Sequence, residues 1–82
     1  MTNRKLSEYV SQLCASVSGV VPTDVIFIPE QQEFVKHSCD STGIVILNKE
    51  NVTVPTEEGY YSVDVYFCRA CGKLYIYREP NY

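Results

Sequence analysis

The sequence predicts an α+β domain: one N-terminal amphipathic helix packed on a small antiparallel sheet of four to five strands. Three observations predict it. Apolar residues recur at spacings of three and four near the start of the chain. From Val20 onward the pattern changes to short apolar runs broken by turn residues. Between Tyr60 and Phe67 the side chains alternate, with Tyr61, Val63, Val65 and Phe67 on one face and Tyr60, Ser62, Asp64 and Tyr66 on the other.

The helix is expected over residues 3 to 18. Leu6, Tyr9, Val10, Leu13, Cys14 and Val17 form its apolar stripe, and Ser7, Glu8, Ser11 and Gln12 its wet face. Thr2 or Asn3 can cap its start, and Gly19 is placed to end it. Val25 to Ile28, between Pro22 and Pro29, reads as a strand. Glu30 to Lys36 stays open: a short helix with Pro29 at its first position, or an extended edge. Ile44 to Leu47 and Val52 to Val54 flank Asn48-Lys49-Glu50-Asn51, which reads as a hairpin loop. Pro55 to Gly59 is a second break. Leu74 and Ile76 alternate with Lys73, Tyr75 and Tyr77 in a last strand, and the few residues between it and the Tyr60–Phe67 strand require antiparallel pairing. A single domain over 1–82 is expected, with its β-rich part from about residue 24 to 79.

At 82 residues the chain is near the lower size limit of a self-sufficient core. Folding at this length removes only roughly 60–65% of its surface from water, so reinforcement by a metal, disulfides or a partner is expected. The composition, 45% apolar and 21% charged, excludes disorder and coiled coil. Ten acidic against seven basic residues give a net charge of −3, which argues against a general binder of nucleic acid or anionic membrane. Apolar runs reach four residues, as in Val25-Ile26-Phe27-Ile28, where a spanning helix needs about 20. Arg4 and Lys5 resemble the start of a signal peptide, but Glu8, Gln12, Pro22 and Asp24 break up the apolar stretch that such a peptide requires. The expectation is a cytoplasmic protein, or one in a host cytosol. Thiols stay reduced there, so the four cysteines read as metal ligands or packed thiols.

The strongest chemical signal is Phe67-Cys68-Arg69-Ala70-Cys71-Gly72-Lys73. Two cysteines two residues apart at a hairpin tip can aim both sulfurs at one ion, and Gly72 tolerates the positive φ of so tight a turn. Lying between two β runs, this segment resembles the zinc knuckle of zinc-ribbon and rubredoxin-like domains. The resemblance covers about a dozen residues. It implies a structural Zn2+ held by four ligands, of which the knuckle supplies two. His37-Ser38-Cys39 offers the second half, because residues i and i+2 of an extended segment point the same way. The expected set is His37, Cys39, Cys68 and Cys71. The first half of a zinc ribbon is normally another Cys-x-x-Cys, so Cys14 and Asp40 stay open as alternatives to His37 for the fourth position. Cys14 otherwise reads as a small hydrophobe on the helix stripe. Four protein ligands leave no position for substrate, and loss of the ion is expected to unfold the C-terminal half.

Enzymatic readings lack parts. A thioredoxin-like Cys-x-x-Cys needs a helix after it, and strand residues Leu74-Tyr75-Ile76-Tyr77 stand there instead. A zinc deaminase needs a glutamate where Cys39 stands and a proline where Phe67 stands. The four glycines are isolated, no Gly-x-Ser-x-Gly occurs, and Glu57-Glu58 reads as a solvated loop tip. The chain is therefore expected not to be an enzyme and to take no small-molecule substrate.

The chain has seven tyrosines and no tryptophan, and five of the tyrosines lie in the last hairpin. Tyr60, Tyr66, Tyr75 and Tyr77 fall on one sheet face near Arg69, Lys73 and Arg78, and tyrosine and arginine are enriched in binding interfaces. Tyr60, Tyr66, Arg69, Lys73, Tyr75 and Tyr77 are the expected contact residues for a protein partner. The competing readings are a nucleic-acid-binding, transcription-related zinc ribbon whose tyrosines stack on bases, a face that merely covers the sheet, and a homodimer formed by edge pairing. Asp64 and Glu79 weigh against the nucleic-acid reading. A chain this short resembles, in size and type, the accessory factors by which bacteria and phages modulate larger machines. An interaction or regulatory module is the expectation.

Overall fold

Helix α1 (Asn3–Ser18) forms because its apolar stripe has a sheet to cover. Leu6 and Val10 are fully buried, Cys14 nearly so, and Tyr9 and Leu13 flank them. Each fully buried aliphatic side chain contributes about 1.5–3 kcal/mol. Val17, expected on the same stripe, lies at the rim and is largely exposed. The helix stops where Gly19 takes φ 77°, with its N–H on the Ala15 carbonyl at 2.9 Å. The Ser18 hydroxyl donates to the Cys14 carbonyl at 2.7 Å. The computed structural model describes residues 3–78, with side chains from Lys5 onward. The capping side chains expected at Thr2 or Asn3, and residue 79, the expected end of the β-rich part, lie outside that description.

Six strands come after it: β1 (Asp24–Phe27), β2 (Phe34–Cys39), β3 (Gly43–Asn48), β4 (Glu50–Thr56), β5 (Gly59–Cys68) and β6 (Lys73–Arg78). Four form one sheet in the order β1-β6-β5-β4, and β2 and β3 form a separate two-stranded sheet. Residues 30–33 are loop and the chain becomes extended at Phe34, which decides the open segment. The α+β class stands, but the single antiparallel sheet needs two corrections.

First, the four-stranded sheet is mixed. β1 runs parallel to β6, with Val25 opposite Leu74 and Phe27 opposite Ile76. The ladder is extended at both ends, where Thr23 N–H donates to the Gly72 carbonyl and Ile28 N–H to the Ile76 carbonyl, each at 2.9 Å. A parallel partner far along the chain leaves no mark on the local apolar pattern. Second, Asn48–Asn51 is not a hairpin loop. β3 pairs with β2 and β4 with β5, both antiparallel, and Lys49 alone carries the chain from one sheet to the other. The reason is that the two apolar runs serve different cores. Val45 and Leu47 of β3 pack with Cys39 and Tyr66, whereas Val52 and Val54 of β4 pack against the helix.

The result is three layers: helix, four-stranded sheet, two-stranded hairpin. On the helix side Val54, Val63, Val65, Leu74 and Ile76 are fully or almost fully buried. On the other side Tyr66, Cys68, Tyr75 and Tyr77 meet Val35, Cys39, Val45 and Leu47 of the hairpin. The face expected to present tyrosines outward therefore carries the β2–β3 sheet instead.

Candidate metal centre

Strand β2 is extended through Lys36–Cys39 with His37 and Cys39 inward and Lys36 and Ser38 outward, the period-two geometry expected of the His-x-Cys pair. Strand β5 delivers Cys68 at its last residue. The chain then turns through residues 69–72, closed by a hydrogen bond from Gly72 N–H to the Cys68 carbonyl at 2.8 Å, and Cys71 faces back toward Cys68. Gly72 has φ 82°, and Thr23 packs so closely that a Cβ at residue 72 would lie 2.9 Å from its Oγ1. Thr23 Oγ1 in turn donates to the Cys71 carbonyl at 3.2 Å. The turn is thus fastened to the start of β1.

One ligand atom from each of His37, Cys39, Cys68 and Cys71 lies within 4.8 Å of all the others. Cys39 Sγ and Cys68 Sγ are 3.9 Å apart, and His37 Nε2 is 3.2 Å from Cys71 Sγ. A disulfide needs about 2.05 Å between sulfurs. A tetrahedron with metal–sulfur bonds of about 2.3 Å has edges of about 3.8 Å, so the Cys39–Cys68 separation is compatible with a four-coordinate site. All four cysteines are free thiols. His37, Cys39 and Cys68 are buried and Cys71 is half-buried.

The thiols do not share one environment. The Thr42 hydroxyl, then the Ser41 and Thr42 backbone N–H groups, hold the Cys39 thiol down at about 6. At Cys71 the Lys73 backbone N–H pulls the thiol the same way, but burial and the neighbouring Cys68 and Cys39 sulfurs together outweigh it and leave the thiol raised. Cys39 is therefore held toward the thiolate and Cys71 away from it. His37 Nδ1 faces the Tyr75 hydroxyl at 3.4 Å, and the two rings meet edge-on with centroids 6.0 Å apart. A partner on Nδ1 leaves Nε2 as the nitrogen turned to the cluster, the usual arrangement of a ligating histidine.

The alternatives for the fourth position are placed elsewhere. Cys14 sits in the helix-side core, across the sheet, where burial pushes its thiol up. Asp40 is exposed in the β2–β3 turn and is not among the clustered ligands. Of the expected contact residues, Tyr66 is fully buried, and its hydroxyl donates to the Gln32 carbonyl and accepts from Gln32 N–H. Tyr75 and Tyr77 are half-covered by the hairpin. Lys73 lies over the Tyr75 ring at 5.8 Å and pairs with Asp24 at 3.8 Å. Tyr60, at 79% exposure, and Arg69 face solvent.

Two contributors escaped the sequence reading: Tyr75 as the support of His37, and Thr42 as the donor to Cys39. The second had a signal. Cys39-Asp40-Ser41-Thr42-Gly43 repeats the form of Cys68-Arg69-Ala70-Cys71-Gly72, with Thr42 in the place of the second cysteine, and the two glycines have nearly equal φ, 84° and 82°. The two turns share this Cys-x-x-x-Gly spacing, though Cys39 pairs with Gly43 and Cys68 with Lys73, one residue later. No protein-family model, curated protein or solved structure matches this chain.

Proposed function

We propose that this chain is a small non-enzymatic zinc protein, in which a structural ion clamps the β2–β3 hairpin onto the sheet, and that it serves as a binding module for a protein partner. The observation that carries the metal reading is the convergence of three sulfurs and one imidazole nitrogen from two hairpins to within 4.8 Å. Three thiolates and an imidazole suit Zn2+ in tetrahedral geometry, whereas carboxylate-rich sites suit Mg2+ or Ca2+. Four protein ligands close the coordination sphere, so the ion builds structure rather than activating water. Backbone N–H groups around the sulfurs disperse the negative charge that three thiolates leave on a dication. Among the described residues no helix is long and apolar enough to cross a membrane. The partner reading rests on the exposed Tyr60 and Arg69, aromatic and basic side chains of the kind enriched in interfaces.

Elemental analysis of protein purified without added metal tests the proposal. The expected content is about one zinc per chain. Co2+ replacement is expected to give the intense visible bands of a tetrahedral thiolate site, and Cys68→Ser to remove them. Protein that is folded and metal-free, or Co2+ spectra of octahedral type, would overturn it.

A further inference from the structure

On the hairpin side of the sheet, beyond the metal centre, Gln31, Asn51, Ser62, Asp64 and Tyr77 line an open cleft of about 320 Å³, solvent included. Asn51, Asp64 and Tyr77 are cross-strand neighbours on β4, β5 and β6, and Gln31 reaches in from the loop before β2. Asp64 is only 6% exposed. Both its oxygens act as acceptors, Oδ2 from Gln31 Nε2 at 2.8 Å and Oδ1 from Asn51 Nδ2 at 3.1 Å. The Asn51 amide also donates to the Ser62 hydroxyl at 3.0 Å, and its Oδ1 accepts from that hydroxyl at 3.2 Å.

The placing of charge here is inverted. Surface carboxylates Glu57, Glu33 and Asp24 each have a lysine, Lys5, Lys49 and Lys73 respectively. The one buried carboxylate among the described residues has neutral amides only. Removing a carboxylate from water without a counter-ion is costly, and neutral hydrogen bonds recover part of that cost. Asp64, the Gln31 and Asn51 side chains that bond it, and the aromatic Tyr77 all line this cleft. A planar cation that donates several parallel hydrogen bonds and stacks on an aromatic face matches this set.

We propose that the Asp64 cleft binds a guanidinium group, as the side chain of an arginine. It goes beyond the metal centre and does not depend on it. The test is titration of zinc-checked, 15N-labelled protein with the capped tripeptide Ac-Gly-Arg-Gly-NH2. The control is Ac-Gly-citrulline-Gly-NH2, whose urea head has the same shape without the charge. The arginine peptide is expected to shift the amides of Gln31, Asn51, Ser62, Asp64 and Tyr77 saturably, and the citrulline peptide to leave them in place. Asp64→Asn should weaken binding by about tenfold or more. Should Asp64→Asn not fold, Gln31→Leu in the exposed loop removes a competing donor, and the arginine peptide should bind it at least as well as the parent. Tighter binding of the capped peptide than of free L-arginine identifies a partner's side chain as the source, and the reverse identifies the free amino acid. Unsaturable shifts, equal response to citrulline, or loss of binding in Gln31→Leu overturns the proposal and leaves Asp64 as a brace for the loop. Measured zinc content in the same sample separates that failure from failure of the metal reading.

Discussion

Gly72 and Gly43 each stand four residues after a clustered cysteine, yet their substitutions should differ. Both have positive φ, so alanine at either costs about 1–2 kcal/mol in backbone strain. At Gly43 nothing lies within 4 Å of the added carbon, whereas at Gly72 it meets Thr23 Oγ1 at 2.9 Å and the Thr23 backbone nitrogen at 3.3 Å. Overpacking of that kind adds about 1–3 kcal/mol. Gly72→Ala is therefore expected to lower the denaturation midpoint clearly more than Gly43→Ala, and equal losses in chemical melts would contradict the close approach. Thr42 acts through charge rather than shape. Its hydroxyl is the largest of the influences that bring the Cys39 thiol to about 6. A thiol depressed in the fold gives a contribution that is complete above its unfolded pKa and fades as pH falls through about 6. Protons also compete with the metal for sulfur. Thr42→Val should thus raise the pH at which half the metal is lost, by up to about one unit. Co2+ absorbance tracked during acidification reads this midpoint directly, and an unmoved midpoint would remove Thr42 from the account.

At the scale of elements, what could be read from the chain was whatever is local. The helix stripe through Leu6, Val10 and Cys14, the alternation of β5 and the Cys68–Cys71 pair are set by neighbours a few residues away. The pairing of β1 with β6 and the separation of β3 from β4 depend on contacts between distant segments, and no local periodicity encodes them. The tyrosines show the same limit: alternation places Tyr66, Tyr75 and Tyr77 on one face, but not what covers that face. The clustering of His37, Cys39, Cys68 and Cys71 was more legible, because the Cys-x-x-Cys and His-x-Cys spacings mark it whatever the topology. The two turns also make its fourth ligand testable. In one turn the second cysteine is present, as Cys71; in the other Thr42 stands there, and His37, two residues before Cys39, completes the cluster. His37→Ala should weaken Zn2+ binding by more than the roughly 10- to 100-fold typical of outer-shell changes. Adding Thr42→Cys should restore most of that loss by completing a four-thiolate site. Competition with a chromophoric chelator measures both, and a double variant as weak as His37→Ala would show that the two turns are not equivalent.

For the molecule as a whole, the sheet separates two cores of different composition. The helix-side core, built from Leu6, Val10, Val54, Val63, Val65, Leu74 and Ile76 with Cys14, contains none of the clustered ligands. The opposite core consists of Cys39, Leu47, Tyr66 and Cys68, so half of its buried members belong to the His/Cys cluster. A two-stranded sheet is marginal alone. Structural zinc contributes on the order of 10 kcal/mol, comparable to the net stability of a whole domain. In the proposed zinc form that energy would act where His37, Cys39, Cys68 and Cys71 cluster, between β2 and the β5–β6 turn. For the proposed zinc form the expectation from spacing alone, loss of the C-terminal half on chelation, narrows: β5 and β6 have helix-side contacts of their own, and the expected loss is confined to β2 and β3. Hydrogen exchange after treatment with a strong chelator should show protection falling by about tenfold or more across residues 34–48, with the helix and residues 60–77 far less affected. Re-addition of Zn2+ should restore it. A uniform loss over both regions would mean that the two cores melt as one cooperative unit, and protection unchanged at 34–48 would mean that Leu47, Val45 and Tyr66 hold the hairpin without an ion.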